Sequence, residues 1–221
     1  MSIQKPKQAL YEQFAAVAKA LGNPQRLELI EHLAQGPRSV EILARKLGLP
    51  IANVSQHLQN LRRAGLVAAE RDGKFVRYRL ADESVLSAFT AIRAVAEQQL
   101  AEVERIVRGY FDERDSMEPV SREELIDRMR DGLVTLIDVR PADEFVLGHV
   151  PGAVNVPLGE LEERIGELDP AREVVAYCRG PWCILSFEAV AALRGRGYRV
   201  RRLEDGLPEW KAAGLPMESS T

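Results

Sequence analysis

The sequence predicts two domains of different fold class. The first is mainly α with a two-stranded hairpin; the second is α/β with a central parallel sheet. Three observations carry this. Helical apolar periodicity fills the N-terminal half and is interrupted by two short strand-like runs around Asp72-Gly73. The stretch Phe111–Glu118 is charged, has no apolar pattern and leads into Pro119. Beyond it, strand-like and helical segments alternate, the rhythm of a parallel sheet. The expected boundaries are therefore residues 1–111, a linker at 112–118, and residues 119–221.

Each element follows from local chemistry. Leu10, Phe14, Val17, Ala18 and Leu21 share one face of a first helix, which Gly22-Asn23-Pro24 ends. Pro24 suits the first turn of the next helix, which runs to about Leu33. After Gly36-Pro37, Ser39 N-caps a short helix through Leu47, closed by Gly48. Pro50 opens a helix from about Ile51 to Ala64, with Ile51, Val54, Leu58 and Leu61 expected to face inward. Val67–Glu70 and Phe75–Leu80 read as strands joined at Asp72-Gly73. One long helix is expected over 82–110, where Val85, Phe89, Ile92, Ala96, Leu100, Val103 and Val107 recur at three- and four-residue steps. In the second domain, strands are expected at Thr135–Asp138, Glu173–Tyr177 and Arg199–Leu203, with a helix at Ile184–Arg194.

Composition narrows the class. Hydrophobic content of 46% and charged content of 29% are ordinary for a soluble globular protein. The polar start, MSIQKPKQALYEQF, argues against a secretory signal, and no apolar run approaches the ~20 residues that span a bilayer. A cytoplasmic protein without membrane partners is expected. The net charge of -3 hides an asymmetry: residues 1–112 carry 16 basic and 12 acidic side chains, the remainder 14 and 21. Within Arg38–Arg79 the ratio is nine to three. A basic segment in an acidic chain points to a local anionic partner.

Two short helices joined by a Gly-containing turn and followed by a tight hairpin make a winged helix–turn–helix. On its second helix, Asn53, Ser55, Gln56, His57, Gln59 and Asn60 are candidate DNA contacts, with Arg62 and Arg63 near the end. Amide side chains read adenine edges in the major groove, and Arg and Lys hold phosphates or guanine. Ser39 joins this set, and Arg71, Lys74 and Arg77 on the wing are placed for flanking backbone.

The segment from Leu21 to Leu80 resembles the ArsR family of repressors, through LGNPQRLELIEHL, VSQHLQNLRRAGLV and RDGKFVRYRL. The resemblance implies a homodimer, paired through the first helix and helix 82–110, that binds an inverted-repeat operator in double-stranded DNA until an inducer arrives. Patterning also allows the simpler alternative that helix 82–110 docks on its own chain's core. The family's metal sensors use cysteine clusters near the recognition region or His and Asp pairs on the last helix. The first domain has no cysteine and residues 83–110 no histidine, so neither metal nor cofactor is expected. His57 then reads as a phosphate or structural contact.

The 2 cysteines, Cys178 and Cys183, are too sparse for a secreted disulfide framework and point to redox, catalytic or metal chemistry. An apolar strand, Val174–Tyr177, delivers Cys178 to a loop that runs into a helix. Backbone N–H groups at that helix start stabilise an anion, and Arg179 adds positive charge beside it. Such a thiolate is nucleophilic enough to take sulfur from a donor as Cys–S–SH.

Three stretches then resemble the rhodanese family: LIDVRPADEFVLGHVPGAVNVP, VVAYCRGPWCILSFEAV and LEDGLPEW. The first contains Asp138, Arg140, Glu144, Gly148, His149, Pro151, Gly152 and Asn155. The resemblance implies a rhodanese-like domain over 119–221, with Asp138 and Arg140 holding the scaffold and His149 bracing a turn. The loop Cys178-Arg179-Gly180-Pro181-Trp182-Cys183 departs from the family by closing on a cysteine where a basic residue is typical, which weakens the case for thiosulfate turnover. A phosphatase of the CX5R type is excluded, because Ile184 stands where Arg is required. Cys183 reads either as a resolving cysteine that attacks a Cys178 persulfide or as a packing residue. An arsenite site would want a third ligand, and none is evident. The favoured function is a transcriptional repressor whose rhodanese-like domain senses thiosulfate, polysulfide or persulfide. The alternatives are a sulfurtransferase with a DNA-binding half that localises or regulates it, and a docking platform for a sulfur-carrier protein. Cys178→Ser separates them.

Overall fold

The computed structural model describes residues 6–73, 75–112, 114–115 and 117–219, so the expected contact Lys74 lies outside the described residues. The chain divides into two compact units, Met1–Ala94 and Val95–Thr221.

In the first unit, α1 (Pro6–Leu21) precedes α2 (Pro24–Ala34), which Asn23 caps by accepting from Arg26 N at 3.1 Å. Next come β1 (Arg38–Ser39), α3 (Val40–Leu47), α4 (Ile51–Arg63), β2 (Val67–Asp72), β3 (Phe75–Leu80) and α5 (Glu83–Gln99). Ser39 caps α3, and Gly48 closes it at φ 65, the left-handed C-terminal position that favours glycine. The wing is an antiparallel sheet in the order β1-β3-β2, with Val67 opposite Leu80 and Asp72 opposite Phe75. Leu29, Ile30, Leu43, Val54, Leu58 and Leu61 are fully buried and form the core between α2, α3 and α4. Ile51, expected to face inward, is instead 53% exposed, because it starts α4 and the helix reaches the core a turn later, at Val54.

The expected single helix over 82–110 is also corrected. α5 stops at Gln99, Leu100 is extended (φ -107, ψ 106), α6 covers Ala101–Ile106, and a π-helical turn covers Val107–Asp112. No Gly or Pro marks this break; tertiary contacts favour it. Beyond it Phe111 meets Phe187 at 4.7 Å between ring centroids, and Arg114 pairs with Glu188 at 2.9 Å. Those contacts put the division between the units inside α5, upstream of the charged stretch 112–118, where Asp115 is buried.

The second unit holds α7 (Arg122–Arg130), β4 (Val134–Asp138), α8 (Ala142–Phe145), β5 (Val154–Asn155), α9 (Leu161–Arg164), β6 (Glu173–Tyr177), α10 (Ile184–Gly195), β7 (Val200–Arg202) and α11 (Leu207–Ala212). The sheet is parallel throughout, in the order β5-β4-β6-β7, with Leu136 opposite Val175 and Val175 opposite Arg201. Successive β6 residues serve opposite faces. Val174 and Ala176 join α10 through Ala189, Val190 and Leu193; Val175 and Tyr177 join Leu125, Leu203 and Trp210. A strand buried on both faces reads as a continuous apolar run, as Val174–Tyr177 does.

Candidate functional site

On α4, Asn53, Gln56, Gln59, Arg62 and Arg63 are exposed, whereas Ser55, His57 and Asn60 are half-buried. Gln56 Nε2 donates to Asn60 Oδ1 at 3.3 Å, which orders two amides one turn apart. His57 Nδ1 is buried with no hydrogen-bond partner among the described residues. Arg71 and Arg77 are exposed on the wing. Arg79 instead pairs with Glu70 at 2.5 Å and donates to the Leu80 and Ala81 carbonyls. Ser39 accepts from Ile42 N at 3.5 Å, so it serves as a cap. The result is a polar helix face flanked by a cationic wing, over an apolar core that fixes the helix.

The second candidate site lies at the carboxyl edge of the parallel sheet, where open α/β sheets place their ligands. β6 ends at Tyr177, and Cys178 follows at 1% exposure; Cys183, at 7%, is the N-cap of α10. Their sulfurs are joined in a disulfide, with Cα atoms 6.1 Å apart. Within the loop, Cys183 N donates to Gly180 O at 3.2 Å, and Cys178 O accepts from Leu207 N at 3.1 Å. Gly206 presses on the loop so closely that a Cβ there would lie 2.3 Å from Gly180 N.

Arg179 differs from expectation. Its guanidinium is engaged by Glu144 through two bonds of 2.8 Å, with Glu144 almost fully buried, so its charge is offset by a carboxylate. It anchors the loop to α8. Arg202 is a second anchor: it donates to Pro181 O at 3.2 Å and lies 4.1 Å from the Phe187 ring centroid. Burial pulls its pKa below the usual arginine value. Trp182 donates its indole N–H to Glu97 and lies against Phe111.

Asp138 and Arg140 form a fully buried pair at 2.5 Å, and Arg140 also donates to Gly148 O at 2.8 Å. Asn155 donates to the carbonyls of both, at 3.0 and 2.9 Å. Burial alone would lower the Arg140 pKa, but the bonds and charge of Asp138 outweigh it and the net shift is upward. The Tyr177 phenol accepts from Val150 N at 3.1 Å; burial first, then the Asp138 charge, push its pKa far above the usual value. His149 Nδ1 is 3.0 Å from Phe145 O, its ring stacks on Phe145, and its backbone pairs with Glu218. These groups hold the frame around the loop.

Glu144 and Gly206 stand in the recognised motifs without a local signal of their role. Arg202, Glu97 and Phe111 reach the loop from distant sequence, so only packing identifies them. A shallow cavity of about 210 Å³ opens nearby, lined by Val139, Pro141, Leu158, Glu160 and Leu185 among others. Val139, Leu158 and Leu185 belong to the apolar cluster around both cysteines. Among the described residues the lining has no cation. Among the described residues no group of three His, Cys, Asp or Glu side chains is placed to hold a metal ion, and no helix is long and apolar enough to cross a membrane.

A rhodanese-like domain model matches residues 121–213, and a helix–turn–helix domain model matches residues 21–69. The chain is 42% identical over 212 residues to the HTH-type transcriptional regulator Rv0324 of Mycobacterium tuberculosis, covering 96% of this chain and 93% of that protein. A sulfurtransferase of Allochromatium vinosum is 36% identical over 85 residues, covering 38% of this chain and 78% of that one. Among solved structures, the homodimeric winged helix–turn–helix DNA-binding domain Mb0332 of Mycobacterium bovis is similar at 42% identity and TM-score 0.42, covering 45% of this chain and 94% of that one.

Proposed function

Because the chain belongs to the ArsR-type winged helix–turn–helix transcriptional regulators that carry a C-terminal rhodanese-like domain, we propose that it is a DNA-binding repressor that senses reactive sulfur through Cys178 and Cys183. The observation that carries this reading is the meeting of the two sulfurs in one buried loop at the sheet edge. In the reduced protein, the Cys178 thiolate attacks the sulfane sulfur of a persulfide R–S–SH, forms Cys178–S–SH and expels R–S⁻. The Cys183 thiolate then attacks Sγ of Cys178 and expels HS⁻, leaving the disulfide. Two electrons pass from the thiol pair to the sulfane sulfur, so no other oxidant is required. Arg179 is held by Glu144 and the nearby cavity has no cation among the described residues, so neither offers a free side-chain charge to a small dianion such as thiosulfate. That favours neutral or monoanionic polysulfides and persulfides as donors.

The DNA surface is assigned to Asn53, Gln56, Gln59, Arg62 and Arg63 on α4, with Arg71 and Arg77 on the wing. A homodimer is supported by α1, which exposes Leu10, Tyr11, Phe14 and Val17 in consecutive turns. An exposed apolar stripe of that extent marks an interaction face.

A second reading, sulfurtransferase activity, is favoured by the likeness to the Allochromatium vinosum sulfurtransferase. Mass spectrometry after polysulfide treatment of the reduced protein decides between them. The sensor passes through a transient adduct on Cys178 and ends as the Cys178–Cys183 disulfide, and Cys183→Ser stops at the adduct. Stable adducts on Cys178 with Cys183 always free, together with multiple turnovers to a thiol acceptor, would overturn the sensor in favour of the enzyme.

A further inference from the structure

The four residues between the cysteines include Trp182, and Trp182 docks on a segment that precedes the α/β fold. Its indole N–H donates to Glu97 in the last turn of α5. Its ring lies 5.2 Å from Phe111 and 6.4 Å from Phe187 of α10 in a near-parallel stack, by centroids. A second tether runs through Arg202, which donates to Pro181 O while its Nε lies 3.6 Å from Asp115. The other Asp115 oxygen pairs with Arg194 of α10 at 2.7 Å. Tyr110 and Arg114 both donate to Glu188 of α10, at 3.2 and 2.9 Å. All these groups belong to the unit Val95–Thr221, and α5 itself begins at Glu83 in the first unit.

We propose that the Cys178–Cys183 pair is a latch for the segment 97–112. The disulfide holds Trp182 against Glu97 and Phe111, reduction releases that segment, and Glu97, Phe111 and Arg202 act as positioning residues for the loop. Closing the loop removes its conformational freedom, so Trp182 is held in its docked place at little further entropic cost. When the S–S bond opens, the same contacts must order a loop that is otherwise free. By linkage, docking favours the disulfide by the factor by which the disulfide favours docking. In the reduction, a dithiol's thiolate attacks Sγ of Cys183, the more exposed of the two residues. The S–S bond breaks, Cys178 leaves as thiolate, and the second thiol of the reductant closes its own disulfide. Two electrons and two protons thereby reach the protein. The latch rests on the pair being redox-active, as in the function proposed above, and is independent of the sulfur donor and of the operator.

Hydrogen exchange on the full chain tests it, with dithiothreitol as reductant. Amides of residues 100–112 are expected to exchange at least fivefold faster after reduction, while those of β4 and β6 stay unchanged. The Cys178→Ser/Cys183→Ser chain should match the reduced state with or without dithiol. Glu97→Ala should speed exchange in the oxidised protein and shift the thiol–disulfide equilibrium about tenfold toward thiols, about 30 mV. Glu97→Gln, which keeps an acceptor, should restore part of both effects. Equal exchange in the oxidised and reduced chain, or an equilibrium within twofold of the parent in Glu97→Ala, would overturn the latch. Operator binding by the same samples separates the two ideas. Redox-dependent binding with unchanged exchange removes the latch and keeps the sensor; changed exchange with redox-indifferent binding keeps the latch and removes the sensor.

Discussion

Gly206→Ala is a sharp test of how the cysteine loop is held. The backbone at Gly206 has φ -112, open to any residue, so the cost of a methyl group is purely steric. That Cβ would lie 2.3 Å from Gly180 N and 2.4 Å from both Arg179 C and Gly180 Cα, all backbone atoms. Reaching ordinary contact requires a shift of about 1 Å in the loop or in the start of α11. Overpacking of this kind costs roughly 1–3 kcal/mol. The same shift threatens the bond from Leu207 N to Cys178 O, at 3.1 Å, worth about 1 kcal/mol more. A loss of about 2–4 kcal/mol should lower the melting temperature of the rhodanese-like unit by roughly 10 °C in calorimetry of the full chain. Gly195→Ala is the control. Gly195 ends α10 with nothing within 4 Å of its would-be Cβ, and the alanine should be neutral or stabilise by up to about 1 kcal/mol. A Gly206→Ala chain within 0.5 kcal/mol of the parent, a margin typical of indifferent surface changes, would show that this close approach does not hold the loop.

Three further outcomes follow from the same structure. Asp138→Asn leaves Arg140 buried beside a neutral partner and should cost roughly 3–5 kcal/mol in urea unfolding, against near-neutrality for an exposed pair. Glu124 is held below the usual carboxylate value of 4.5, chiefly by its hydrogen bond from Arg201. A depressed folded pKa gives stability that is present above 4.5 and lost as the pH falls through the folded value, so Glu124→Gln should flatten the acid limb of the stability curve. Phe14→Glu places a charge on the exposed α1 stripe; light scattering should show monomers, with circular dichroism and melting of the isolated chain little changed.

Much of this fold is legible because the signals are local. Val174–Tyr177 is an apolar run ended by a reactive residue, and β6 occupies Glu173–Tyr177. Ser39, Gly48 and Asp72-Gly73 place caps and a turn through their own backbone chemistry. What escapes is set by tertiary contact. The break at Leu100 has no sequence marker, since leucine continues a helix readily and the reason lies in Phe111 and Arg114 meeting α10. β1 and β5 are two residues each, too short for any period. At the candidate site, the positions of Cys178 and Cys183 are readable from the strand–loop–helix pattern. The pairing of Arg179 with Glu144 is not, because it joins residues that only the folded sheet brings together. For the same reason Trp182 reads as a stiff aromatic in a loop until Glu97 and Phe111 give it a docking place.

Control of DNA binding by sulfur chemistry at Cys178 is read most directly from operator affinity with and without polysulfide. Reduced wild-type protein should lose affinity on polysulfide treatment by a factor of roughly 5–150, the usual range of allosteric coupling, while Cys178→Ser keeps the untreated affinity. Equal affinity before and after treatment in the wild-type chain would rule out sulfur control of operator binding.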